Sequence, residues 1–571
     1  MKKKLITTLV FILIMSMMLS LMTACGSKKD DKAEDAPAED AEVKEDAPAE
    51  DADKEDTDDS AGAAEQKIIV SLNNEPDGID PNITSNSFAA PFLANCFEGL
   101  VTVDENSELI PGLAEKWEIS EDGKTYTFTL RDGLKWSDGS DLNANDFVYS
   151  AERVLTPETT AQYVNMLSDY IVNAQDFYEG KVEFSEVGVK APDEKTLVYT
   201  LKEPTPFFID VLSMPVYAPV QKATIEANGD KWTLSPETYI TDGPFKVIDM
   251  KMGESVTLGK NENYYNADQV KLEEITFRYI KDDATALAAF QKGEIDCARN
   301  VPAADVPKLK AETDELYTLP QYATTYYLIN NSVKPFDDVR VRKALNLALD
   351  REAIITNVLQ SDDLAAAGLV SPGYSVDGKD YVDGRSDFGI PATGNVEEAQ
   401  KLLAEAGYPN GEGFPTLELS YYTNEQVKLV VEAMAQMFKD NLGIEVNISN
   451  EEWAVYYDNV QAGKYQVAAM GWGADYLHPM TFFPLFVSTD QLNNSFYKNE
   501  AYDEAVAAAK TVQDPAEGIA AMRAAEDILM EDYPMISLYH RSTNLLMSSR
   551  VKGWNLTPTN NLHFKNAYVE D

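Results

Sequence analysis

Side chains able to break or transfer bonds are scarce and poorly spaced in this 571-residue chain. The three histidines, His478, His540 and His563, show no metal-ligand spacing among them. There is no G-x-S-x-G elbow and no H-E-x-x-H pair. Gly253 and Gly259-Lys260 approach a phosphate-binding loop, but the spacing is one residue too long. Asn261 also stands where a serine or threonine should meet the metal. With 96 Asp and Glu residues, acidic pairs are too common for any one to indicate acid–base work. Cys25, Cys96 and Cys297 are too few for a disulfide framework, and no pair has zinc spacing. Cys96 and Cys297 form either one bridge or two buried thiols. The chain therefore reads as a non-enzyme with no metal and no cofactor. Binding chemistry remains. Gly471 and Gly473 flank Trp472 directly after an apolar run, 465–470. Glycine lets another backbone come close. Main-chain N–H and C=O groups at a strand's open end can pair with another backbone whatever its side chains.

Those glycines need a strand to hold them. The rhythm from 417 onward predicts one: strand 417–421, helix 425–441, strand 444–448, helix 452–461, strand 465–470. This is an α/β unit, and its last strand is nearly continuous in apolar residues, as a strand buried on both faces should be. Upstream, Asp338 is placed to cap one helix and Asp350 a second, with a third over 396–406 stopped by Gly407. A different pattern fills 117–139. Tyr126, Phe128 and Leu130 alternate with Thr125, Thr127 and Thr129 between the Asp-Gly pairs at 122, 132 and 138. That is an antiparallel signature. Asn145 is read as the cap of a helix reaching Val154, and 67–72 as the first strand.

The length suggests several domain-sized units. The net charge of -48 repels phosphate, which excludes nucleic acid as a partner and disfavours docking on anionic lipid through a basic patch. The amino terminus carries Lys2, Lys3 and Lys4, then an apolar stretch over 5–21, short for a membrane span and right for a signal peptide. Leu21-Met22-Thr23-Ala24-Cys25-Gly26 resembles a lipobox, with Cys25 as the lipidated residue. Residues 27–65 hold 17 acidic residues against 5 lysines and contain Glu-Asp-Ala-Pro-Ala-Glu-Asp-Ala twice. Such a composition cannot bury enough to fold and reads as an extended tether.

The block Ala114-Glu115-Lys116-Trp117, Asp122-Gly123, Tyr126 to Gly133 and Lys135-Trp136-Ser137-Asp138-Gly139 resembles the signature of bacterial family 5 extracellular solute-binding proteins. Pro204 to Phe207, Thr241-Asp242-Gly243-Pro244, Gly293-Glu294-Ile295-Asp296 and Pro335-Phe336-Asp337-Asp338-Val339-Arg340 continue it in family order. Ala348-Leu349-Asp350-Arg351, Leu402 to Gly407 and Gly471-Trp472-Gly473-Ala474-Asp475-Tyr476 complete it. The resemblance covers 67–571 and is strongest to oligopeptide binders.

It implies an α/β, two-lobed periplasmic-binding-protein-like (type II, cluster C) fold with three domains. Residues 1–24 are the signal peptide and 25–66 the lipidated cysteine and tether. Residues 67–110, 235–322 and 542–571 form a discontinuous domain I, 111–234 domain II, and 323–541 domain III, with hinges near 322 and 541. It implies Asp475 as the partner of a ligand's α-amino group, where composition alone would favour a solvated loop aspartate. Gly471, Trp472 and Gly473 would line one side of the peptide and Glu98-Gly99-Leu100 the other. Trp453 would line a pocket, or else sit in the core, and Tyr163 would assist. His540 is read as structural. The basic residues that hold peptide carboxyl ends in enterobacterial relatives fall near Leu359, Val427 and Ala469, all apolar. The ligand's carboxylate is therefore expected to lack a dedicated cation unless Lys428 or Lys464 supplies one. The implied protein is a monomeric peptide receptor of an ABC importer, held on the outer face of the cell membrane by a lipid anchor and working with a membrane permease. The alternatives are the same fold binding a dipeptide, nickel chelate or sugar, or a peptide pheromone for signalling. An anchored hydrolase or chaperone is the different-class rival.

Overall fold

The computed structural model describes residues 64–376 and 378–570. The signal segment, Cys25 and nearly all of the acidic tether lie outside the described residues.

One mixed sheet of eleven strands runs through the molecule. Its order is Val446–Glu451, Leu417–Tyr422, Val467–Gly473, Leu316–Ile329, Met535–Met547, Cys297–Ala298, Lys67–Leu72, Glu274–Tyr279, Ser255–Lys260 and Phe245–Lys251. Leu364–Ala365 pairs off this path with Met535–Met547. The two long strands, Leu316–Ile329 and Met535–Met547, are antiparallel partners that join the ends of the sheet. Their register shifts between Pro320 and Thr324 and again between Thr325 and Tyr326. Such irregularity breaks the ladder and bends the strands locally. The first shift spans residue 322, near which the family resemblance implies a hinge.

Three large apolar clusters sit around this frame. Ile68, Val70, Phe92, Phe245, Leu258, Phe277 and Phe564 pack together from segments far apart in the chain. Ile329, Leu345, Leu419, Val431, Val467 and Ile536 fill the α/β layer. The third cluster joins a separate four-stranded antiparallel sheet to the region beyond Asp475, through Phe128, Phe147, Phe207, Tyr476 and Phe482. That sheet has the order Ala114–Ile119, Thr125–Leu130, Thr196–Thr200, Val189–Asp193. Its Asp-Gly turns are real, since Gly123, Gly133 and Gly139 all have positive φ, a conformation that favours glycine.

Local signals mostly place the elements correctly. The first strand is Lys67–Leu72. Asp338 caps Val339–Leu347 by accepting from the Arg340 N–H. Gly407 follows Val396–Glu405 with φ of 102°. Four expectations need correction. The helix Ala144–Leu155 is capped by Asn143, not Asn145, because the Asn143 N–H donates to Asp146 Oδ2 and so completes a capping box. Asp350 does cap a helix, but its later turns, Ile354–Leu359, are π-wound. The strand expected at 444–448 lies at Val446–Glu451, in parallel register with Leu417–Tyr422. The strand expected to end at 470 runs from Val467 through Gly473, because it pairs with the long strand as far as Ala323. Cys96 and Cys297 are both free and buried.

Candidate functional site

The added length of Val467–Gly473 makes the site. One edge of this strand pairs with Leu316–Ile329 over its whole length, from Ile329↔Val467 to Ala323↔Gly473. The other edge meets Leu417–Tyr422 only at Val467 and Ala468. Beyond Ala468 that edge has no strand partner among the described residues.

Backbone alternation decides which groups face the open edge, because successive residues of a strand direct their N–H and C=O to opposite sides. The Ala474 N–H donates to the Tyr322 carbonyl at 2.7 Å, toward the paired strand. The Ala469 carbonyl accepts from the Tyr456 hydroxyl at 2.7 Å, on the other side. Counting by twos from Ala469, Gly471 and Gly473 present their N–H and C=O to the open edge, while Met470 and Trp472 face the long strand.

Asp475 lies two residues beyond the strand's end and is half-buried. The Tyr163 hydroxyl donates to its Oδ1 at 2.7 Å, across 312 residues of sequence. The Asp475 N–H donates to Thr481 Oγ1 at 3.2 Å. Burial pushes the carboxyl up to about 6, against the hydrogen bonds of Tyr163 and Thr481, and no cation contributes. A desolvated carboxylate with hydrogen-bond donors but no cation suits a ligand ammonium, which would form a charge-assisted pair. Asp475 borders two cavities. One reaches Glu98, Gly99 and Thr557. The other is lined by Trp472, Tyr170, Phe207 and Thr481. The Trp472 indole N–H is buried and meets no acceptor among the described residues.

The remaining candidates divide. Glu98 and Gly99 line the first cavity opposite Asp475. The Glu98 carboxylate is already engaged: Tyr264 and Tyr265 hydroxyls donate to it at 2.7 and 2.6 Å and Lys565 Nζ at 3.2 Å. It anchors its loop, leaving main chain for any ligand. Leu100 is a core residue, 1% exposed, and its carbonyl accepts from Gly112 and Ala114. Trp453 is 51% exposed, so it is no core tryptophan. It stacks on Tyr457 and meets Tyr422 edge-on, and it lines neither cavity that holds Asp475. Tyr163 lies beside Asp475, through its hydroxyl. His540 is buried, pushed down to about 4 by desolvation, with Nδ1 2.9 Å from Thr324 Oγ1.

Three residues at the site escaped the sequence analysis. Thr481 and Phe207 reach it through tertiary packing, and neither carries a local signal beyond Phe207's place in the motif Pro204 to Phe207. Arg541, whose guanidinium lies over Gly471, had one: it is the one charged residue of Met535–Met547, next to His540.

The chain matches the model for bacterial extracellular solute-binding proteins, family 5 Middle, over residues 108–494. It is 35% identical over 511 residues to the periplasmic oligopeptide-binding protein OppA of Salmonella typhimurium, covering 89% of this chain and 93% of that one. It is 33% identical over 511 residues to the oligopeptide-binding protein OppA of Bacillus subtilis, covering 88% and 92%. Among solved structures, Haemophilus influenzae OppA in complex with RPPGFSPFR superposes with a TM-score of 0.74 at 33% identity, covering 89% of this chain and 99% of that one. A family match across the central two thirds of the sequence, with relatives aligned nearly end to end, settles the kinship: this chain belongs to the family 5 bacterial extracellular solute-binding proteins.

Proposed function

We propose that the protein is the lipid-anchored substrate-binding component of an ABC importer and captures oligopeptides outside the cell in a closing cleft. The observation that carries this reading is the open edge of Gly471 and Gly473, which ends at a carboxylate with no cation of its own. An extended peptide added there pairs main chain to main chain and brings its ammonium to Asp475. The three-domain division, hinged at 322 and 541, belongs to the same reading, and closure around the ligand strengthens each polar contact by excluding water. Cys25 is the proposed point of lipidation, and a membrane permease the proposed partner. The protein acts as a monomer and carries out no catalysis in this account. Relatives named as oligopeptide binders support the ligand class. Native mass spectrometry of protein purified without denaturation tests it. Co-purifying masses that fragment as peptides with free amino termini are expected. A sugar or a nickel chelate in their place overturns the reading.

A further inference from the structure

Ala469 and Leu359, two of the apolar positions expected to leave a peptide carboxylate unpaired, are buried in the α/β core, and Val427 packs against it. Neither compensating lysine stands free: Lys428 lies 3.7 Å from Glu425, and Lys464 donates to Asn459 Oδ1 at 3.4 Å. A different cation adjoins the open edge. Arg541, on Met535–Met547, reaches across the long strand and donates from Nε to Thr325 Oγ1 at 3.0 Å. Thr325 is paired with Gly471. The guanidinium then lies directly over Gly471, so that a Cβ placed on that glycine would come within 2.3 Å of Nη2. Glycine at 471 is what leaves room for it.

Arg541 is half-buried, and no carboxylate among the described residues forms an ion pair with it. Asp363, the acid whose charge it feels, accepts instead from the N–H and hydroxyl of Ser542. The groups around Arg541 are tyrosines. Burial raises the pKa of Tyr326, Tyr422 and Tyr539, and the Arg541 charge works against that rise in each. In a chain of 96 acidic and 48 basic residues, an arginine without an acidic partner is conspicuous. Its forked donors match a carboxylate's two oxygens.

We infer that Arg541 binds the terminal carboxylate of a short peptide whose ammonium rests on Asp475. This rests on the peptide reading above and adds a length to it. A strand added antiparallel to Val467–Gly473 enters at Asp475 and runs back toward Gly471. Four residues of extended chain separate those positions, about 13 Å at the rise of a strand. A peptide of about three or four residues spans that distance, which brings its last carboxylate beside the guanidinium.

The test is calorimetry on the full folded protein, with trialanine and tetra-alanine as free acids and as carboxyl-terminal amides. Wild type is expected to bind the acids at least tenfold more tightly than the amides. Arg541→Gln should abolish that preference while still binding trialanine better than N-acetyl-trialanine. Gly471→Ala, whose methyl displaces the guanidinium, should weaken the preference without touching Arg541. If wild type binds acid and amide equally, the inference fails even should both variants misfold. If Arg541→Gln keeps the full preference, some other group holds the carboxylate and the inference fails. If neither these peptides nor longer ones bind, the peptide reading falls and this inference with it.

Discussion

Acidification from pH 7 to pH 5 should weaken binding of trialanine about tenfold. The perturbed group is Asp475, whose carboxyl is pushed up to about 6 by burial, with Tyr163 and Thr481 hydrogen bonds opposing. A ligand ammonium stabilises only the ionised form, so binding below pH 6 must first expel a proton. With a pKa of about 6, roughly nine tenths of the sites are ionised at pH 7 and about one tenth at pH 5, a loss of about 1.4 kcal/mol. Above pH 8 the peptide's own amine, with a pKa of about 7.7–8.0, loses its proton and affinity falls again. The profile is thus a bell with its plateau between pH 6 and 8. Stability of the free protein moves the other way. A carboxyl whose folded pKa exceeds its unfolded value of 3.8 loses stabilisation as pH rises from about 4 to 6. Asp475→Asn, which keeps a carbonyl oxygen for Tyr163, should therefore be no less stable than wild type at pH 7 while binding trialanine poorly. Calorimetric titrations at pH 5, 6, 7 and 9, with thermal melts of both proteins, check this. Equal affinity at pH 5 and 7, or the same acid limb in Asp475→Asn, would refute the assignment of the ammonium site.

Two further outcomes follow from side chains that the structure ties down. Tyr163→Phe removes the 2.7 Å donor to Asp475, which should move the acid limb of the profile upward and cost about 1 kcal/mol of trialanine affinity, read by the same titrations. Arg351 is 1% exposed and donates to the Ser537 carbonyl, the Asn346 carbonyl and Asn346 Oδ1 at 2.8–3.1 Å. Arg351→Ala orphans those acceptors and leaves a cavity, so chemical denaturation should show a loss of about 3 kcal/mol or more.

Sequence and structure agree best where structure is local. Alternation between Asp-Gly turns placed Thr125–Leu130, and β-branched residues placed Lys67–Leu72. Side-chain caps are local too, yet the cap is Asn143 rather than Asn145, because the capping box depends on Asp146 three residues after Asn143. Gly-Trp-Gly has little strand propensity, so nothing near it reveals that the strand continues to Gly473; the long strand supplies that pairing. Motif order pointed to Asp475, but its contact with Tyr163 joins residues 312 positions apart. Arg541 is visible as a lone charge in its strand, but its place at the site is not. Its meaning comes from lying over Gly471, a relation that only the assembled sheet creates.

Amide hydrogen exchange resolved to single residues tests whether the ligand becomes an added strand on the open edge of Val467–Gly473. In the free protein the Gly471 and Gly473 amides face the open edge and should exchange readily. Those of Trp472 and Ala474 are directed to the long strand and should be protected with or without ligand. On saturation with a peptide, Gly471 and Gly473 should become protected and the other two should not change. Peptide binding that leaves the Gly471 and Gly473 amides exchanging as before would mean that the ligand does not pair with this edge.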